Sequence, residues 1–215
     1  MKKLLILIGI VLIIVLTATI IYNFKYKKMN KEAAISLINK GENYENIKIR
    51  TKIEDELGHI TNIEFIKKDN IELYNEKNES GERIEWTDTN KKETLIIDED
   101  MKTYEWCENY EREKTNYNDS NYKYKFIRTE KYENVKCAVL KFTEENLSEQ
   151  VIWVDLQTGL ILKKKVKIYY DNESTYEYEE YMENLLDCVT EKDVLKPDIT
   201  EYSSQIDFSQ IKQYR

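Results

Sequence analysis

From Ile47 onward the apolar residues fall at every second position, in one short run after another, and this period is what most restricts how the chain can fold. Ile47, Ile49, Thr51 and Ile53 alternate with Lys48, Arg50 and Lys52, as a strand with one buried face requires. Five similar runs follow: Ile60 to Ile66, Ile71 to Tyr74, Arg83 to Thr87, Glu93 to Ile97 and Lys102 to Trp106. Polar turns such as Lys68-Asp69-Asn70, Glu79-Ser80-Gly81 and Asp98-Glu99-Asp100 separate them, and short strands with tight connections predict an antiparallel meander. Residues 107 to 123 carry neither period and read as a long loop, a poorly formed helix or a lid. Strands resume at Val135 to Phe142, Gln150 to Asp155, Leu160 to Tyr170 and Thr175 to Met182, with Leu156-Gln157-Thr158-Gly159 as a hairpin turn. The count is about ten. With only five Gly and one Pro in the chain, most turns fall to Asn and Asp, which tolerate the left-handed region best after Gly.

Two segments precede and one follows this β-rich part. Leu4 to Ile21 is an uncharged run whose polar members are Gly9, Thr17 and Thr19, flanked by Lys2 and Lys3 and by Lys25, Lys27 and Lys28. Such a run is long enough to span a bilayer core of about 30 Å, and it exceeds the apolar region of a cleaved signal. Residues 1–28 are therefore expected to be an uncleaved signal anchor, a single-pass helix in the cell membrane with the rest of the chain outside the cytoplasm. An acylated N-terminus is not expected, because the first cysteine is Cys107. Residues 30 to 40 place Ala33, Ala34, Leu37 and Ile38 at helical spacing, with Asn30 as N-cap and Gly41 as the stop. The expected organisation is one domain over residues 29–200 and a polar tail, 201–215, with enough apolar residues to dock but not to fold by itself.

Charge and composition narrow the function. Residues 1–28 hold five lysines and no acid, so the rest has 28 basic against 41 acidic residues, about −13. That balance repels phosphate backbones, and nucleic-acid binding is not expected. Cys107, Cys137 and Cys188 have no CxxC spacing and a single histidine, His59, to join them, so no metal site is assembled. They read as one disulfide with a free thiol, or as three small buried side chains. His59, beside Gly58 in an apparent hairpin turn, has no nucleophile placed by sequence, and the acidic runs lack the EF-hand pattern. No Gly-rich phosphate loop exists, and no cofactor is implied. No catalytic residue is assigned, and an envelope hydrolase is the last alternative.

The aromatic residues remain. Phe65, Trp86, Trp106, Phe142 and Trp153 all lie on predicted strands, where one concave face of a curved sheet would hold an acyl chain or apolar peptide. Phe65, Trp86 and Trp153 are the candidate ligand-binding residues; ordinary core is the competing reading.

The hairpin Val151-Ile152-Trp153-Val154-Asp155-Leu156-Gln157-Thr158-Gly159-Leu160-Ile161-Leu162-Lys163 resembles the W-x-D-x-x-T-G-L-x-L-K-like run of the LolA-type lipoprotein carrier superfamily. The likeness covers roughly residues 30 to 200, though only this hairpin is specific. It implies a mainly β (α+β) domain: a curved antiparallel sheet or incomplete β-barrel with covering helices. One branch resembles the GerS-type germination lipoprotein, a non-enzymatic partner of a peptidoglycan amidase. Two departures are the missing lipoprotein cysteine and the lack of any placed carrier-type ligand residue. The resemblance implies a non-catalytic envelope domain that binds a protein partner, such as that amidase, or else a lipid acyl chain.

Overall fold

A computed structural model of the chain describes residues 29–108, 115–170 and 174–204. The expected membrane anchor and the tail beyond Ser204 lie outside the described residues. Among the described residues no helix is long and apolar enough to cross a membrane.

Helix α1, Lys31–Glu42, opens the domain. Asn30 caps it from an extended backbone, its side-chain oxygen accepting the Ala33 N–H at 2.9 Å and so satisfying one donor the first turn leaves unpaired. Glu32 in the first turn and Lys40 in the last complement the helix dipole. Gly41 is not the stop that the sequence predicts; it lies within the last turn. The reason is steric. A Cβ on Gly41 would stand 2.3 Å from the carbonyl oxygen of Gly159, and one on Gly159, at φ +83°, 2.1 Å from that of Leu37. The two glycines let the helix lie directly on a sheet turn.

The strands are β1 Asn46–Asp55, β2 Ile60–Lys68, β3 Ile71–Asn78, β4 Gly81–Asp88, β5 Glu93–Asp98, β6 Thr103–Glu108, β7 Tyr122–Tyr132, β8 Val135–Glu144, β9 Ser148–Asp155, β10 Ile161–Tyr170, β11 Ser174–Leu186 and β12 Ser203–Ser204. They form one curved sheet in the order β12-β6-β5-β4-β3-β2-β1-β11-β10-β9-β8-β7. Neighbours are antiparallel except β12, which runs parallel to β6. The outer strands β12 and β7 do not pair with each other, so the sheet is open and the barrel is not closed. Among the described residues there are twelve strands rather than ten. β7 escapes the sequence reading because a register shift between Phe126 and Arg128 breaks its alternation: Phe126 pairs with Leu140 and Arg128 with Val139, so residues two apart fall on opposite faces.

The sheet is covered on both faces. On one, α1 packs Ala34 and Ile38 against Ala138, Leu140, Phe142, Ile152 and Val154, and Tyr117 completes the cluster. On the other, a mostly extended strap, residues 188–202, seats Val189 and Val194 on Ile66, and Ile199 and Tyr202 beside Trp86, Leu95 and Ile97. The strap contains only a 3-10 turn, Glu191–Val194, so among the described residues an α-helix covers one face alone. Its attachment is polar as well as apolar: Asn46 exchanges two hydrogen bonds with the Val189 backbone, at 3.0 and 3.2 Å, and the Trp86 indole donates to the Val194 carbonyl at 3.0 Å. Fully burying side chains such as Phe142 and Leu95 contributes ~1.5–3 kcal/mol each.

Gly41→Ala is expected to lower unfolding free energy by ~2 kcal/mol or more, because the clash is with rigid backbone. Gly58→Ala, where only the φ of +84° opposes a side chain, is expected to cost ~1 kcal/mol. Urea titration of both variants checks the ranking, and equal losses would contradict the contact.

Candidate functional site

Residues opposite one another in paired strands share a face. Ile49, Phe65, Tyr74 and Glu85 are successive partners across β1 to β4, so Phe65 projects to the face that carries α1. Trp86 follows Glu85 and projects to the other face, under the strap. Trp153, which pairs with Val139 and Lys163, lies on that second face too, in a cluster with Cys137 and Val139. Phe65, Trp86 and Trp153 thus do not line one concave surface. Phe142 is fully buried beneath α1, and Trp106 stands 41% exposed on β6.

Each face has a hollow. Beside α1, an apolar cavity of about 270 Å³ is lined by Ile38, Ile49, Phe65, Leu160 and Met182 among others. One polar atom in it is unsatisfied: the Asn184 amide nitrogen donates to the Ile161 carbonyl at 3.0 Å, while its buried Oδ1 has no partner. Most of the space beneath the helix is filled. Tyr117, from the stretch without periodicity, inserts its ring 4.5 Å from that of Phe142 and donates its hydroxyl to Gln150 Oε1 at 3.1 Å. No periodic signal marks Tyr117 or Asn184 in the sequence, since one sits in a loop and the other is a polar residue on a half-buried strand.

On the opposite face a groove of about 550 Å³ runs between β1–β3 and the tip of the β7–β8 hairpin, with Arg50, Glu64, Lys77, Glu82, Tyr132 and Tyr181 in its walls. Most of its charges are paired. Arg50 bridges Glu64 and Glu183 at 3.1 and 3.2 Å, Lys48 reaches Glu64 at 2.8 Å, and Lys77 meets Glu82 at 2.9 Å. Burial works against the charge on Glu64, yet Lys48 and Arg50 hold its carboxyl below the usual range. Burial likewise opposes the charge on nearby Glu179, but Lys163, Lys165 and Tyr181 bring it down to about 2. These shifts are those of structural ion pairs and run opposite to the raised pKa of a general acid.

Among the described residues no group of three or more His, Cys, Asp and Glu is placed to hold a metal ion. The three cysteines are free, with Cys137 buried and Cys188 exposed. His59 sits at the β1–β2 turn, 58% exposed, its Nδ1 2.9 Å from Asp55 Oδ2. Asp55 organises that turn, Oδ1 accepting from the Leu57 and His59 backbone N–H groups at 2.9 Å. The Tyr176 hydroxyl also donates to Asp55 Oδ2, at 3.3 Å.

The hairpin carrying the family-like run is built by the same turn chemistry. Asp155 accepts from the Gln157 N–H at 2.9 Å and from the Thr158 hydroxyl at 2.6 Å, and Gly159 takes the left-handed turn. Lys40 at the end of α1 donates to the Gln157 carbonyl.

With this geometry, the solved structures similar to the chain include MucB. A crystal structure of MucB in complex with MucA(peri) superposes with a TM-score of 0.51 at 11% identity, covering 80% of this chain and 62% of that one. The Pseudomonas aeruginosa MucA/MucB complex gives 0.50 at 13%, covering 76% and 61%. The chain therefore spans about three-fifths of the MucB chains. An uncharacterized conserved protein from Thermus thermophilus gives 0.54 at 5%, covering 81% and 97%. A putative outer membrane lipoprotein-sorting protein domain from Vibrio parahaemolyticus also matches, at 0.36 and 10%, with 77% and 97% covered. These likenesses are of fold. No protein-family model matches the chain, and no curated protein matches it in sequence.

The Asp55 hydrogen bond raises the His59 pKa above 6.5, and the same bond holds Asp55 down to about 2. The His59 contribution to stability is present below pH 6.5 and lost as pH rises through its raised value; that of Asp55 is present above its ordinary value of 3.8 and lost as pH falls towards 2. In an NMR titration the His59 ring is expected to titrate above 6.5 and to return towards it in Asp55→Asn. An unchanged midpoint would contradict the pairing.

Proposed function

We propose that this chain is a non-catalytic, membrane-tethered domain of the cell envelope whose work is to hold a protein partner. The observation that carries the reading is the filled space under α1: Phe142, Tyr117, Leu140 and Ile38 occupy it. The apolar hollow that remains beside Phe65, about 270 Å³, falls just short of the roughly 300–1,000 Å³ of ordinary small-molecule sites. A shuttle for acyl chains needs a hollow it can empty and refill, and it must leave its membrane. This domain has its hollow packed with core and is expected to stay attached through residues 4–21.

The shared fold of MucB, solved with MucA, supports partner binding on a scaffold of this kind. Within the LolA-type superfamily that the Asp155–Leu160 hairpin resembles, the finer form of the proposal is a GerS-like partner of a peptidoglycan amidase in spore germination. The tether replaces the acyl anchor of such lipoproteins. Partner binding falls naturally to the open sheet edges, where backbone groups await pairing. On β7 the edge carries Lys123, Lys125 and Lys131, which disfavour indiscriminate pairing and leave room for an acidic partner strand.

A second reading has one observation in its favour. The unsatisfied Asn184 Oδ1 beside Phe65 and Met182 suits a small apolar ligand with a single hydrogen-bond donor.

Native mass spectrometry of the full chain, released from its own membranes in mild detergent and followed by lipid extraction, separates the two. Retention of a second protein with no stoichiometric acyl chain is the expected result. One bound acyl chain per domain and no protein would replace the partner reading with the lipid one.

A further inference from the structure

Among the described residues five large apolar side chains stand exposed at one rim of the sheet: Leu57 (74%), Ile60 (40%), Met101 (62%), Leu147 (55%) and Tyr170 (53%). The register places them together. β1 ends and β2 begins at this rim, flanking Leu57; the β5–β6 turn carries Met101, and the β8–β9 turn carries Leu147. The Tyr169 N–H donates to the Leu147 carbonyl at 2.9 Å, and the Glu56 N–H to Glu177 at 3.1 Å, so neighbouring tips are joined by backbone. Tips this exposed are not explained by the core.

The chain enters the domain at the same rim. The Tyr124 hydroxyl donates to the Met29 carbonyl at 2.8 Å, and Lys31 reaches the Asp119 and Tyr122 carbonyls at 3.1 Å. Tyr122 in turn pairs with Glu144, beside the Leu147 turn. From Met29, α1 runs to the opposite rim, where Gly41 meets Gly159. Between Ile21, the end of the apolar run, and Met29 the backbone reaches at most about 28 Å. At about 3.3 Å per residue the strands hold the opposite rim roughly 30 Å further off.

We propose that this rim rests on the bilayer surface that residues 4–21 enter, with Leu57, Ile60, Met101, Leu147 and Tyr170 seated among the headgroups. The proposal depends on the tether reading above. The tether supplies proximity, raising the effective concentration of the rim at the surface, and the apolar tips supply the contact. Glu56 and Asp100, set between them, select against an anionic surface and for a zwitterionic one, whereas Glu145 is paired with Lys123 at 2.6 Å. The orientation leaves the opposite rim, both outer strands and the charged groove open for a partner.

The test uses the full chain reconstituted in phosphatidylcholine vesicles, with Cys107 and Cys188 replaced by serine and the buried Cys137 retained. A fluorophore is attached at Leu57→Cys, Met101→Cys or Leu147→Cys, or at Lys91→Cys or Gln157→Cys on the opposite rim as controls. Nitroxide lipids are expected to quench the first three at least twofold more than the controls, and less strongly when phosphatidylglycerol replaces part of the phosphatidylcholine. Equal quenching at both rims overturns the proposal. A full chain that fails to float with the vesicles removes the tether reading, and this orientation with it. A chain that floats with unquenched rim labels, which then become immobilised in native membranes, makes the rim a protein-docking surface and overturns the bilayer contact alone.

Discussion

Everything in this domain hangs on the pairing of its first long strand with its last. β1 and β11 match residue for residue from Ile47 with Leu186 to Asp55 with Tyr178, closing a loop of more than a hundred residues. Each side of that seam is a simple meander, β1 to β6 and β7 to β11, in which neighbours in sequence are neighbours in space. Cross-strand pairs contribute only ~0.2–1 kcal/mol each, too little to hold the seam unaided against the entropy of closing it. The coverings supply the remainder, and they do so crosswise. Helix α1 precedes β1 yet packs on β8 and β9, while the strap follows β11 yet packs on β2 to β5. Each end of the chain covers the half of the sheet remote from it in sequence, so neither meander buries its apolar face until β1 and β11 have met.

Next to the seam, the charged residues of the β10–β11 pair add specificity more than stability. Lys163 and Lys165 flank Glu179, Lys164 meets Glu180 at 3.1 Å and Lys167 meets Glu177 at 2.7 Å. Partly exposed pairs of this kind are each worth ~0–1 kcal/mol. A slip of two residues between β10 and β11, however, would set Val166 against Glu180 and Lys164 against Met182, breaking the Lys164–Glu180 pair and burying a carboxylate against an apolar neighbour. A slip of one would turn every side chain to the wrong face. The net acidity of the domain is thus compatible with an ordered interior sheet because its acids are distributed opposite its lysines.

Most of the strands were legible because each has one buried and one solvated face, and that difference writes a period of two into the residues. The failures have the same origin. β7 keeps the period only until Phe126, after which a register shift hands Arg128, Glu130 and Tyr132 to the other face. Tyr117 is core by virtue of a loop that folds back, which no local pattern encodes. Gly41 carries the ordinary signature of a helix end, and its use as a contact point depends on Gly159, 118 positions later. The aromatic residues expose a deeper limit: an apolar residue on a strand announces that it is buried, but not against what. Phe65, Trp86 and Trp153 look alike in sequence, yet Phe65 lies on the face that carries α1, Trp86 lies under the strap on the other, and Trp153 joins a separate cluster on that second face with Cys137 and Val139.

The run from Trp153 to Lys163 shows why a likeness of sequence can report a fold and remain silent on function. Asp155 and Thr158 satisfy the turn's own N–H groups, and Gly159 takes a backbone conformation and an approach to Leu37 that no other residue permits. Asp155, Thr158 and Gly159 are thus consumed by forming the turn on which α1 sits. Any domain that lays an N-terminal helix across a curved sheet at this point meets the same steric demand, whether the space beneath the helix is left hollow for a ligand or filled. What differs between such domains is the choice of side chains under the helix, and here that choice is Phe142, Leu140 and an inserted Tyr117. The physical divide between a carrier and a fixed binding domain thus lies in the volume those residues occupy, on positions that carry no motif.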